Sequence, residues 1–408
     1  MKRTLITNIG MLATPQGTAA RGGRAQGGIC ILKNAWILIE NDVIAQVGTG
    51  AAPAAADAQT INAGGKLVTP GLVDAHTHLI FGGWRQNELA LKLHGAGYLD
   101  ILAAGGGILS TMRATQSASE EQLEAKASAA LDEMLRFGTT TAEAKSGYGL
   151  STGEECKALR VIGKLQKHHV MDLAATFMGA HAVPEAYRDN RQGYLELLCE
   201  EMLPAVQEQG IAEFCDVFCE KGVFSAEESR RILLTGRQHG LRPKIHADEI
   251  EAIGGSELAG EIGAVSAEHL IVCPPSGIAS MAEGGTVACC LPATSFYLGA
   301  AYAPVQDMVQ AGVPVAMATD FNPGSCPCLN MQLVISLGCL RYRLTPEQAL
   351  TAVTLNGAAA ICRADRIGSI EPGKQADILI WNAEDLDYIC YRLGSNLVDT
   401  VIKKGNVV

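Results

Sequence analysis

Val68-Thr69-Pro70-Gly71-Leu72-Val73 runs directly into Asp74-Ala75-His76-Thr77-His78, and the residues that close this strand decide the fold. The apolar run reads as a buried strand, with His76 and His78 at its carboxyl end. Side chains alternate faces along a strand, so two histidines two residues apart point the same way. Two imidazoles converging at a strand end suit a shared metal ion, against the plainer reading of two unrelated polar residues in a loop. A doubly wound open sheet would place a nucleotide-binding glycine loop after this strand. A histidine pair stands there instead, and that favours a barrel.

Outward from this stretch, strand–helix alternation repeats eight times. The short apolar strands begin near Leu72, Thr139, Met171, Glu213, Pro243, Ala264, Thr286 and Pro314. The clearest helix runs from Ser119 to Phe137, where Leu123, Ala127, Ala130, Leu131, Met134 and Leu135 recur at helical spacing. Ser119 with Gln122 forms a capping box, as does Ser225 with Glu228. Thr345, Pro346 and Gln348 mark another start, with proline at the first helical position. The expected fold is α/β: a TIM-type eight-stranded (β/α) barrel over residues 67–362. Residues 1–66 and 363–408 alternate apolar and polar residues between turns, as in Ala35-Trp36-Ile37-Leu38-Ile39 and Ala376-Asp377-Ile378-Leu379-Ile380-Trp381. Neither segment builds a comfortable core alone, so the two are expected to form one small β-sandwich domain from both termini. Ala51 to Ala58 is an Ala/Pro-rich stretch and reads as a surface turn.

Hydrophobic residues make up 48% of the 408 and charged ones 18%, enough for a large core and against disorder. The net charge of -11, with no basic cluster, argues against nucleic acid or an anionic membrane as partner. Thirteen cysteines, none in a Cys-x-x-Cys pair, read as reduced and buried in a cytoplasmic protein. Cys326-Pro-Cys328 is read as structural. No leader and no run approaching a membrane span is expected.

Five of the nine histidines fall at the carboxyl ends of expected barrel strands: His76, His78, His181, His246 and His269. Asp320 closes the eighth strand. A parallel barrel brings those ends to one face, so scattered positions become one cluster. His76, His78 and His246 supply neutral nitrogen ligands and Asp320 an anionic oxygen, with room for a water whose pKa a metal lowers to about 7. His269 serves as an acid/base or a further ligand. Glu249, three residues past His246, shuttles a proton or holds a ring nitrogen of the substrate. Arg85, after Gly82-Gly83, suits a carboxylate. Tyr148 and His181 reach toward a ligand, His181 as a donor. Together they suggest a small anionic substrate over a metal-activated water. Gly105-Gly106-Gly107 lacks the Gly-Lys-Ser/Thr of a phosphate loop and reads as a loop or lid. Lys145 is read as a surface or substrate-facing lysine rather than a metal-bridging carbamate.

A first-strand His-x-His, a fifth-strand His246, a sixth-strand His269 and an eighth-strand Asp320 resemble the amidohydrolase superfamily. Two-metal members carry a carbamylated lysine at the end of the fourth strand. Here that strand runs Phe214-Cys215-Asp216-Val217-Phe218-Cys219-Glu220, with Lys221 only after an acid, so one ion is expected. Longer strings are similar to the branch that hydrolyses imidazolonepropionate in histidine degradation: His78-Leu79-Ile80-Phe81-Gly82-Gly83-Trp84-Arg85, Lys145-Ser146-Gly147-Tyr148-Gly149-Leu150, Met178-Gly179-Ala180-His181, His246-Ala247-Asp248-Glu249, Ser266-Ala267-Glu268-His269-Leu270 and Thr319-Asp320-Phe321-Asn322-Pro323-Gly324-Ser325. The resemblance implies opening of a cyclic amide C–N bond to N-formimidoyl-L-glutamate. It implies zinc or iron on His76, His78, His246 and Asp320, with chemistry carried by His269, Glu249, His181 and Asp320. Arg85, Tyr148, His181, Glu249, Asn322, Gly324 and Ser325 are placed around the substrate, and a homodimer is implied. The rival readings are a deaminase of a heterocyclic base and a non-catalytic binding relative. Arg85 discriminates against the first, since a neutral base offers it no carboxylate.

Overall fold

The computed structural model describes residues 2–54, 57–94 and 106–408. Among the described residues, sixteen strands fall into two sheets. Five precede the barrel: β1 (Arg3–Thr14), β2 (Cys30–Glu40), β3 (Val43–Thr49), β4 (Gln59–Asn62) and β5 (Leu67–Pro70). The barrel strands are β6 (Leu72–Asp74), β7 (Thr139–Lys145), β8 (Asp172–Ala180), β9 (Phe214–Cys219), β10 (Arg242–Ala247), β11 (Ser266–His269), β12 (Val287–Cys290) and β13 (Val315–Met317). Three more complete the chain: β14 (Ile378–Trp381), β15 (Val398–Lys403) and β16 (Asn406–Val407).

All eight expected barrel strands are present and pair in parallel in chain order from β6 to β13. The ends of the order meet beyond the strands proper. Thr77 bridges Phe321 in parallel, the Asp320 N–H donates to the His76 carbonyl at 3.1 Å, and the His78 N–H donates to that of Phe321 at 2.9 Å. Below them, Asp74 accepts from the Thr319 N–H at 3.0 Å and from its hydroxyl at 2.6 Å. The seam that closes the barrel is therefore the place where the histidine pair meets Asp320.

Both expected capping boxes are made, at Ser119 and Ser225, and the third expected helix start, at Thr345, proves to carry one as well. Each satisfies two amide donors that a helix start otherwise leaves open. The expected amphipathic helix spans Glu120–Arg136 and buries Leu123, Ala127, Ala130, Leu131 and Met134 against the barrel.

The terminal segments make one mixed sheet, in the order β16-β15-β14-β5-β1-β2-β3, with β4 beside β1. Strands from both termini share this one continuous sheet, whose core holds Ile6, Ile9, Ile37, Ile39, Ile378 and Ile380. Leu67–Pro70 pairs here, with β1 and β14, so the chain passes into the barrel at Gly71. Trp381, fully buried, donates from its indole N–H to Thr69 Oγ1 at 2.8 Å. The sheet docks at the amino end of β8, where Asp172 meets Lys403 at 2.7 Å and Lys404 at 2.6 Å. Gly105 of the triple glycine lies outside the described residues, as do residues 55 and 56 of the Ala/Pro stretch. Gly107, at φ 75°, sits at the start of the helix Ile108–Ser117. No helix among the described residues is long and apolar enough to cross a membrane.

Candidate metal centre and active site

The strand ends bring His76, His78, His246, His269 and Asp320 into one buried cluster. Donor atoms of His76, His78 and Asp320 lie within 4.8 Å of one another, as do those of His76, His246 and His269. His246 Nε2 is 3.3 Å from His78 Nε2, and Asp320 Oδ1 is 3.4 Å from His76 Nε2 and 3.5 Å from His78 Nε2. Local backbone helps to aim the last two residues. His269 (φ 69°) and Asp320 (φ 57°) occupy the left-handed region that L-residues seldom adopt. Such strain, held by the surrounding structure, gathers at functional sites.

Burial, then the Lys145 ammonium, holds His76 well below the usual imidazole range. Burial, then the neighbouring His181, does the same for His78. Burial takes His246 down to about 4 against the opposing pull of Asp216. The rings are thus neutral and ready as ligands. His76 Nε2 is buried with no hydrogen-bond partner among the described residues. Burial pushes the Asp320 carboxyl up to about 7, the penalty a cation beside it would relieve, while its Oδ2 accepts from Thr294 at 2.6 Å. Three neutral nitrogens and one carboxylate oxygen, converging in a buried site, fit a divalent metal.

Each of two rings is held from behind. His76 Nδ1 lies 2.7 Å from Glu268 Oε2, and His246 Nδ1 lies 3.1 Å from Asp216. A carboxylate there fixes the tautomer that leaves Nε2 for the metal. Sequence reasoning gives neither acid a role. Lys145 is neither surface nor substrate-facing. It is buried in the barrel between Glu143 and Asp216, at 2.8 and 2.6 Å. Burial disfavours its charge, but Asp216, Glu143 and Glu268 outweigh it and favour the protonated amine, which disfavours a carbamate there.

Above the cluster opens a cavity of about 650 Å³. Arg85, Tyr148, His181, Glu249, Asn322, Gly324 and Ser325 all line it, with His78, His246, His269 and Asp320 at its floor. Glu88 grips Arg85 bidentately, at 2.8 Å to Nε and 2.9 Å to Nη2, and also accepts from the Gly107 N–H at 2.7 Å. Arg85 Nη1 lies over Gly324, where an added Cβ would sit 2.2 Å away. The Tyr148 loop is fixed by Glu155, which accepts from the N–H groups of Gly147, Gly149 and Leu150 at 3.0, 2.8 and 2.8 Å. His181 Nδ1 donates to the Gly147 carbonyl at 2.9 Å, and burial takes the ring down to about 4. The expected donor thus spends its Nδ1 proton on its own loop, and a neutral ring so committed carries a lone pair at Nε2. Burial, then the Glu220 carboxylate, pushes Glu249 up to about 7, and its Oε2 lies 3.7 Å from His269 Nε2. Asn322 uses its amide on its own loop, accepting from Gly324 and Ser325 and donating to the Asp320 carbonyl. Cys326 is buried and pairs with Asn322 across this loop, in keeping with its structural reading.

A parallel barrel with this cluster at its carboxyl face defines a metal-dependent hydrolase, and the chain belongs to the amidohydrolase family, which it matches over residues 67–408. It is 50% identical to the imidazolonepropionase of Alkaliphilus metalliredigens, over 100% of this chain and 98% of that one. It is 48% identical to the imidazolonepropionase of Bacillus cereus, over 100% and 97%. Within the amidohydrolases the chain is a member of the imidazolonepropionase family. Among solved structures, a zinc-bound adenosine deaminase from Xanthomonas campestris shares the fold with a TM-score of 0.71 at 20% identity, over 99% of this chain and 92% of that one.

Proposed function

We propose that the protein hydrolyses the cyclic amide C–N bond of imidazolonepropionate to give N-formimidoyl-L-glutamate in histidine degradation. The observation that carries this reading is the cavity itself: a guanidinium on one wall faces a metal-ligand cluster on the floor. One ion, zinc or iron, would be held by His76, His78, His246 and Asp320. The inward residue of β9 is Asp216, already paired to Lys145, which leaves no lysine there to bridge a second ion. When bound, the ion would lower the pKa of a water and polarise the ring carbonyl.

The chain's own residues do the rest. Arg85, steadied by Glu88, receives the propionate. His181 Nε2 accepts a ring N–H and orients the heterocycle. Tyr148 packs beside His181, ring centroids 5.1 Å apart, and excludes water. In the reaction a C–O bond forms at the carbonyl carbon, the C–N bond breaks, and a proton passes to the leaving nitrogen. Glu249 and His269 sit together to move it, Glu249 having been brought to about 7 by burial. The enzyme works in the cytoplasm, a reading supported by thirteen cysteines that are all free. It works as a homodimer; light scattering at one or two times 42.9 kDa decides that point.

The test is a screen of cyclic amides against amino-heterocycles, with metal content measured on the same sample. Imidazolonepropionate is consumed in proportion to bound metal; release of ammonia from a base without ring opening overturns the reading. Arg85→Ala raises KM for imidazolonepropionate by about 10–100-fold, the loss of a charged hydrogen-bond pair. An unchanged KM removes Arg85 from substrate binding. His269→Ala loses about 100-fold or more in kcat and keeps its metal. Loss of the metal instead makes His269 a ligand.

A further inference from the structure

Barrel interiors of this kind are ordinarily filled by branched apolar side chains. This one holds an unbroken row of five charges, all fully buried. Glu268, behind His76, lies 3.4 Å from Lys244 Nζ. Lys244 Nζ lies 2.8 Å from Glu143 Oε1, and Glu143 Oε2 lies 2.8 Å from Lys145 Nζ. Lys145 Nζ lies 2.6 Å from Asp216 Oδ2, and Asp216 stands behind His246. The row starts on Nδ1 of one imidazole and ends on Nδ1 of another. The same two rings converge at the cluster, their centroids 4.6 Å apart.

Buried ion pairs seldom stabilise a fold better than apolar residues of the same volume. Packing does not account for five charges in a row. An ionised carboxylate only accepts, so each end of the row demands a proton on Nδ1 and leaves a lone pair on Nε2. Each lysine bridges two acids and fixes how far each carboxylate leans toward its imidazole. We propose that Glu268, Lys244, Glu143, Lys145 and Asp216 act as one positioning relay that sets the tautomer and aim of His76 and His246 together. Glu143 is its centre. It touches neither imidazole, yet both lysines depend on it, and Thr176 Oγ1 donates to it at 2.6 Å.

The inference rests on reading His76 and His246 as ligands of one ion, not on the substrate. The test uses the full-length protein, stripped of metal and titrated with zinc against a chelator. Cobalt absorption reports ligand geometry, and circular dichroism confirms the fold. Outer partners of metal ligands are worth about 10–100-fold in affinity, and Glu268→Gln and Asp216→Asn each weaken zinc within that range. Glu143→Gln weakens zinc by about 10-fold and shifts the cobalt spectrum, although no ligand is touched. Combined with Glu268→Gln it adds less than its own factor, because both cut the same row. A folded Glu143→Gln with wild-type zinc affinity and cobalt spectrum overturns the relay. If that variant fails to fold, Thr176→Val, which removes only the hydroxyl, takes its place; several-fold weaker zinc supports the relay and unchanged affinity overturns it. Wild-type protein that binds no zinc or cobalt also overturns it. Wild-type protein that binds zinc and opens no ring refutes the proposed function alone.

Discussion

Gly324 leaves a gap that Arg85 fills. A Cβ there would lie 2.2 Å from Nη1, inside any permitted contact, and the guanidinium is already held on its other edge by Glu88. Gly324→Ala is therefore expected to raise KM about 10-fold or more while changing kcat less, because it displaces a group that binds rather than reacts. Steady-state kinetics on imidazolonepropionate separates the two; equal falls in kcat and kcat/KM contradict the idea. At this scale much is legible in the sequence. Arg85 stands out because two glycines precede it, and the five histidines because each closes an apolar strand. Glu88 is not legible, since an acid three residues past an arginine on a loop has no spacing signature. The direction of the His181 proton is also hidden. It depends on the Gly147 carbonyl, which only the folded loop brings within 2.9 Å.

Asp74 shows how much a short strand contributes. β6 and β13 are three residues each, and between them lie the Thr319 contacts to Asp74 and the Thr77–Phe321 bridge. Asp74→Ala would strand the buried Thr319 amide and hydroxyl. The expected cost is about 2–3 kcal/mol, read from urea unfolding, with Asp74→Asn losing less because it keeps an acceptor. Equal stability of Asp74→Ala and wild type would mean that the seam is held elsewhere. Strand positions are readable because short apolar runs recur between capped helices. The charges inside them are harder. Glu143-x-Lys145, Lys244-x-His246 and Ser266-x-Glu268 all carry the period of two that sends both members to one face. Inside an apolar strand, such pairs point inward and must find partners. Which partner each one finds depends on barrel register, and register is a property of the closed sheet.

At the scale of the molecule, barrel and terminal sheet are joined through Asp172, Asp377, Lys403 and Lys404. Burial opposes the Asp172 charge, but the two lysines and Gln375 outweigh it and hold the carboxyl at about 2, below its ordinary 3.8. A depressed carboxyl stabilises the fold above its unfolded value and loses that contribution as pH falls through the folded one. Asp172→Asn is thus less stable than wild type at neutral pH, and the gap narrows between roughly pH 4 and pH 2. Melting temperatures at pH 7, 5 and 3 test the sign; a gap of constant size removes the ion pair from the account. The joining of the two terminal segments is legible because neither could build a core alone. The pairing of β5 between β1 and β14 is not, because Leu67–Pro70 is as apolar as a barrel strand.

That middle strand imposes an order of events on synthesis. β14 is made roughly 300 residues after β5, which at about 5–20 residues per second is on the order of 15–60 s of translation. For all that time the edge of β5 awaiting β14 has no neighbour from its own sheet, and an open apolar edge invites pairing with another chain. The nascent protein must complete the whole catalytic barrel before its first sixty-odd residues can finish their sheet. The cost of building one sheet from both ends of the chain therefore falls on the interval in which that edge is open, rather than on stability once folded.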